Sequence, residues 1–150
     1  ITCSFYVPAA GSSDATEYIY FAYTPGRLVI INQSAERWMP LNGTQVLNNN
    51  PNLSSPGQGV PIGDPALYVP VNPVADLTRL APGQCLLFTD STGLETEHLP
   101  QPCTVIGRLD IGPELIFWAA DFTIVSVTDG LQRTCLAAVA DRLTICVMPR

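Results

Sequence analysis

The chain has 150 residues, 47% of them apolar and only 13% charged, with a formal net charge of −6. That length fits one domain, 1–150, able to bury about two thirds of its unfolded surface. All 7 basic residues are arginines standing singly, which argues against nucleic acid and against an electrostatic membrane patch, and no apolar run approaches the roughly 18 residues that span a bilayer.

The first elements are aromatic and β-branched runs, Ser4–Val7 and Glu17–Tyr23, separated by a turn-rich AAGSSDAT. Thr24-Pro25-Gly26 then turns the chain into a second strand, Arg27–Gln33 (RLVIINQ). These runs are continuous rather than alternating, the pattern of strands covered on both faces. Tyr18, Tyr20, Phe21 and Tyr23 point to both faces of one strand, so the N-terminal strands (1–26) are a candidate contact for a protein partner, where aromatics are favoured. The plain alternative is core.

A polar turn leads to Trp38, Met39 and Leu41, followed by a short strand at Thr44–Leu47. Residues 48–66, rich in Pro, Gly, Asn and Ser, are expected to form a long loop that adds nothing to the core. Loops of this length are uncommon in a compact domain and often carry function. Leu67–Val71 is a strand interrupted by Pro70, which places it at a sheet edge or a bulge, because proline cannot donate to a ladder.

Leu80–Asp90 (LAPGQCLLFTD) follows, a Pro-Gly turn feeding an apolar strand that carries Cys85. Ser91–Pro102 is a loop with Glu95, Glu97 and the single histidine, His98; Cys103–Arg108 returns as a strand, bringing Cys103 near Cys85. After a turn at Asp110–Glu114 comes Leu115–Ala120, an apolar run of strand length. Phe122–Thr128, Asp129-Gly130 and Leu131–Ala137 read as a hairpin, since Asp-Gly supplies the positive φ of a two-residue turn. A second hairpin would join Leu131–Ala137 to Arg142–Met148 with Cys135 directly opposite Cys146.

None of the 5 cysteines forms a Cys-x-x-Cys pair, which leaves zinc-ribbon, thioredoxin-like and haem-attachment readings without support. The spacings suit two disulfides, Cys85–Cys103 and Cys135–Cys146, with Cys3 left over. Each would stabilise the fold by about 3 kcal/mol on the chain-entropy model and implies an oxidising, extracytoplasmic compartment. Neither a signal peptide nor a transit peptide is visible, which puts the targeting segment before residue 1 or outside this sequence.

Taken together, 14 prolines and 11 glycines break the chain at the rhythm of an all-β, antiparallel, disulfide-stapled sandwich. Leu28–Asn32 ending in Asn-x-Ser, Leu41-x-Gly43, Leu80-x-Pro82-Gly83-x-x-Leu86 and Phe122–Gly130 resemble the bacterial lamin-tail-domain modules. The match covers about residues 27–137, with Thr44 where the family has tryptophan, and the cysteines and the 48–65 loop lying outside its pattern. The resemblance implies an immunoglobulin-like sandwich used as a non-catalytic appendage on surface and secreted proteins, with no catalytic residues to carry over.

Chemistry-bearing residues fit that expectation. Asp90, Ser91 and His98 are residue types a hydrolase uses, but all three fall in one loop and no nucleophile elbow surrounds them. Asp90, Glu95, Glu97, Asp110, Asp121, Asp129 and Asp141 sit at predicted turns, where Asp is common for geometric reasons, and no Asp-x-Asp-x-Asp-Gly calcium loop exists. A zinc site from Cys85, Cys103 and His98 competes poorly with the disulfide. Asn32-Gln33-Ser34, Asn42-Gly43-Thr44 and Asn52-Leu53-Ser54 are glycosylation triplets, meaningful only in a eukaryotic secretory protein.

The expected function is therefore a binding or assembly module without catalytic, cofactor or metal residues. It would be the soluble domain of a larger surface protein, or an accessory subunit of a membrane or filament complex, with a protein partner or a second copy of itself. The alternatives are a small secreted hydrolase built on the 91–102 loop and a glycan-binding module with exposed aromatics near 48–66.

Overall fold

The computed structural model describes residues 18–41, 43–47, 60–62, 68–70, 78–89, 103–111, 116–127, 130–140 and 142–149. Twelve strands are present: β1 Tyr18–Thr24, β2 Arg27–Asn32, β3 Met39–Pro40, β4 Thr44–Leu47, β5 Val60–Pro61, β6 Tyr68–Pro70, β7 Arg79–Leu80, β8 Gln84–Thr89, β9 Thr104–Ile111, β10 Phe122–Ser126, β11 Gln132–Cys135 and β12 Thr144–Pro149. They form a six-stranded sheet in the order β12-β1-β2-β8-β9-β6, a four-stranded sheet in the order β11-β10-β4-β5, and a small β3-β7 ribbon. The all-β class and its two disulfides are as the sequence predicts.

One core fills the space between the two sheets. The large sheet contributes Ile19, Phe21, Tyr23, Leu28, Ile30, Leu86, Phe88, Leu109 and Met148; the small sheet contributes Val46, Phe122, Ile124 and Cys135. Alternate residues of the large sheet, Tyr20, Val29, Ile31, Cys85 and Leu87, are buried in a second cluster on its opposite face. Both faces being covered explains why these strands read as unbroken apolar runs.

Both cysteine pairs are joined, with Cα atoms 5.8 Å apart for Cys85–Cys103 and 5.7 Å for Cys135–Cys146. The second bond does not arise from the predicted hairpin. β11 pairs with β10, whereas β12 pairs with β1, so Cys135–Cys146 bridges the two sheets. Cys146 and Met148 face the main core while Ile145 and Val147 face the second cluster, and only a place in the large sheet satisfies both rows.

Four further expectations are corrected. β8 and β9 run parallel, so the sheet is not wholly antiparallel. The run 115–120 contains a short 3-10 helix at Phe117–Ala119 rather than a strand, because Phe117 and Trp118 bury successive side chains in the same core. Asp110 and Ile111, predicted to begin a turn, close β9. The 48–66 stretch does feed the core: Val60–Pro61 adds to β4, Ile62 is fully buried, and the Ile62 N–H donates to the Thr44 carbonyl at 2.9 Å. The rest of that stretch lies outside the described residues, as does the strand expected at Ser4–Val7. Pro70 sits where its chemistry demands, on the outermost strand of the large sheet.

Candidate interaction edge

The junction between sheets is built from the short motifs at Asn32, Leu41 and Leu80. Asn32 is fully buried, and its side-chain Nδ2 donates to the carbonyls of Arg37 and Leu80, each at 2.9 Å. Its Oδ1 accepts the Ser34 N–H at 3.0 Å, and its backbone carbonyl accepts the Gly83 N–H at 2.8 Å. Gly83 holds φ at +81°, a conformation that an L side chain resists, and so lets the Ala81–Gln84 turn close. On the other side the Leu41 N–H reaches the Thr78 carbonyl and the Val127 N–H reaches the Gly43 carbonyl, both at 2.8 Å. With its amide hydrogens committed and shielded, Asn32 is no glycan acceptor in the folded chain.

Around this scaffold, six large apolar side chains are exposed among the described residues: Trp38, Val105, Val127, Leu131, Leu136 and Val139. Trp38 carries the Arg79 guanidinium over its ring at 4.1 Å, a cation–π contact that clips the 33–38 turn to the β3-β7 ribbon. Val105 stands alone on β9. The other four flank β11.

β11 is the outermost strand of the small sheet. The Ser126 N–H donates to the Leu131 carbonyl at 2.8 Å and the Gly130 N–H to the Ser126 carbonyl at 2.7 Å, so a four-residue loop connects β10 to β11. This replaces the predicted two-residue turn, although Gly130 does take the positive φ expected of it, +72°. From that bonded pair the antiparallel ladder alternates: Arg133 and Cys135 bond inward to β10, while Gln132 and Thr134 turn their N–H and C=O groups outward. Among the described residues no strand pairs with that outer edge.

The segment leaving β11 is held in place rather than loose. The Tyr23 hydroxyl donates to the Leu136 carbonyl, the Ala137 N–H donates to Asp121 Oδ1 at 2.8 Å, and the Ala138 N–H donates to the Trp118 carbonyl at 2.8 Å. Trp118 is itself fixed by its indole N–H, shared between the carbonyls of Thr24 at 2.8 Å and Pro25 at 3.2 Å. Edge-to-face contacts run from Trp118 through Phe117 and Phe122 to Tyr23 beneath it. Burial, with the Asp121 carboxylate adding to it, pushes the Tyr23 phenol from 10.0 up to about 12. Leu136 is nevertheless 69% exposed. An apolar side chain on pinned backbone is pre-organised to meet another surface.

The structure distributes the sequence-predicted residues unevenly. Cys85, Cys103, Cys135 and Cys146 are brought together in their expected pairs. Tyr20, Phe21 and Tyr23 are interior and Tyr18 is half-buried, β1 being paired on both sides, so this strand is scaffold and not the expected partner contact. Asp90, Ser91, Glu95, Glu97 and His98 lie outside the described residues, as do Cys3, Asn42, Asn52, Asp129 and Asp141. The β11 edge went unseen in the sequence because Leu131–Ala137 reads as the middle strand of two successive hairpins, paired on both sides, whereas β12 pairs with β1 instead. The usable signal was a surplus: more apolar strand-like runs than one core can cover.

Comparison with protein-family models, with curated proteins and with solved structures finds no match to this chain.

Proposed function

We propose that the chain is a non-catalytic interaction module acting outside the cytoplasm, an immunoglobulin-like sandwich similar to the lamin-tail-domain modules of bacteria. It presents the β11 edge to a protein partner, as a domain of a larger surface protein or an accessory subunit of a membrane or filament assembly. One observation carries the reading: among the described residues, four of the six exposed large apolar side chains, Val127, Leu131, Leu136 and Val139, lie just before or just after β11, whose outer side pairs with no described strand. Exposed apolar side chains beside an edge strand with outward backbone groups suit strand addition. Two disulfides support an oxidising compartment, and among the described residues no helix is long and apolar enough to cross a membrane. The meeting of the Asn32-x-Ser34 and Leu80-x-Pro82-Gly83 motifs at one junction supports the family resemblance.

Photo-crosslinking in the native host tests it. A benzophenone side chain placed at Leu136 or Leu131 should trap a polypeptide that the same group at Val105 does not. Equal trapping at all three positions, or none at any, would refute the reading.

A further inference from the structure

We propose that the segment added to the β11 edge belongs to a different polypeptide and carries a carboxylate, which Arg133 receives. The proposal rests on the reading of this edge as an interaction surface and adds the partner chemistry that the edge accepts.

Arg133 stands on the inner face of the small sheet. Its register partner is Ile124, and Cys135, two residues on, is the partner of Phe122. Directly opposed residues share a face, and Ile124, Phe122 and Cys135 all belong to the main core. Arg133 is nevertheless exposed, because β11 is the outermost strand of its sheet. Among the described residues its guanidinium has no hydrogen bond or ion pair. The outer strands of the two larger sheets are β11, β5, β6 and β12, and Arg133 is the single charged residue on any of them. An inward-pointing charge on an edge strand is a means by which proteins refuse indiscriminate pairing.

Covering that charge selects what can pair. Gln132 and Thr134 turn their backbone groups outward, so an antiparallel segment exchanges its hydrogen bonds with these two residues. The residue opposite Arg133 then falls in the non-hydrogen-bonded position between them, where side chains come closest. An apolar residue there would desolvate the guanidinium without a partner, and a cation would repel it; both are destabilising. A carboxylate supplies the opposed charge and accepts the guanidinium N–H groups. A second copy of this strand offers none, since residues 131–140 contain no acid. The neighbouring side chains extend the pattern. By strand alternation Leu131 shares the face of Arg133, while Leu136 shares the face of Gln132 and Thr134, and both leucines are exposed. Read antiparallel, the donated segment has an apolar residue beside Leu136, an acid three positions later opposite Arg133, and an apolar residue two positions after that, opposite Leu131. The residues flanking the acid meet an uncharged surface, where Thr134 Oγ1 is hydrogen-bonded to Thr123 Oγ1 at 3.1 Å and Gln132 lies opposite Val125.

Selection of a random-peptide phage library against the intact, oxidised chain tests the proposal. The enriched peptides should share an Asp or Glu between two apolar residues at the spacing given above. Selection against Arg133→Lys should keep the acid, whereas selection against Arg133→Glu should replace it by Lys or Arg. A synthetic peptide of the wild-type consensus should bind Arg133→Glu about tenfold more weakly, or worse. Thr134→Pro, which removes an outward N–H, should lose the consensus altogether; its survival there would put the site on another edge, β12 included, and overturn the proposal. A consensus without an acid, one indifferent to the charge at position 133, or no consensus at all overturns it equally. If a benzophenone at Leu136 still traps a polypeptide in the native host after any of those results, the acid requirement fails while the interaction-module reading stands.

Discussion

Asn32 provides the most searching test of the scaffold, because three of its side-chain hydrogen bonds and complete burial coincide at one residue. Each such bond contributes about 1 kcal/mol net, and orphaned buried partners add to the loss. Asn32→Ala should therefore cost about 3–4 kcal/mol, a drop in Tm of about 10 °C for a chain of this size. Asn32→Asp separates charge from shape. Its Oδ1 can still accept the Ser34 N–H, but the other oxygen faces the carbonyls of Arg37 and Leu80, which favour the protonated acid. Its folded pKa must therefore rise above the unfolded value near 4. The protonated variant keeps one donor, so its deficit against wild type is smallest at low pH and grows as pH rises through the folded pKa. Guanidinium titrations followed by the fluorescence of buried Trp118, run at pH 4.5 and 7.5, measure both effects. A loss below about 1 kcal/mol for Asn32→Ala, or a pH-independent deficit for Asn32→Asp, would refute the junction described here.

Other expectations are simpler. Tyr23→Phe removes the bond to the Leu136 carbonyl and should cost about 1 kcal/mol. In the wild type the neutral phenol is favoured in the fold, so its contribution is complete below pH 10.0 and is lost as pH rises toward about 12; the alkaline limb of stability should be shallower in the variant. Replacing Cys135 and Cys146 together by Ala should lower stability by about 3 kcal/mol and loosen the 136–138 segment, seen as faster amide exchange at Ala137 and Ala138. Trp38→Ala, removing an exposed cation–π contact, should cost no more than about 1 kcal/mol in chemical denaturation.

What could be read from the sequence was local. Turn chemistry located Gly83 and Gly130, strand periodicity located β1, β2, β4 and β8, and Pro70 placed β6 at an edge. Cysteine spacing found both crosslinks, yet the hairpin register offered for Cys135–Cys146 was the wrong cause of a correct pairing. What failed was long-range. Nothing within Thr144–Pro149 states that its ladder partner is β1, more than a hundred residues earlier, because both faces of β12 are apolar and several partners would bury them equally well. The parallel β8–β9 pair was hidden for the same reason. The candidate edge was missed through the same error: with Arg142–Met148 expected beside Leu131–Ala137, that strand had no open side until β12 was found beside β1.

The pairing of β1 with β12 has a mechanical consequence. Tyr18 stands opposite Pro149, so the first and last described strands enter and leave at one point of the molecule. Tension applied between residues 18 and 149 would load that ladder as a zipper, opening its rungs in succession rather than shearing them together. Peeling would pass Met148 and Val147 and stop at Cys146, where the bond to Cys135 diverts the force into the second sheet. Under load the disulfide is a ratchet stop. On the β12 side it would limit the extension of an oxidised chain to a few residues, whereas a reduced one would continue to unravel through β12 into the core.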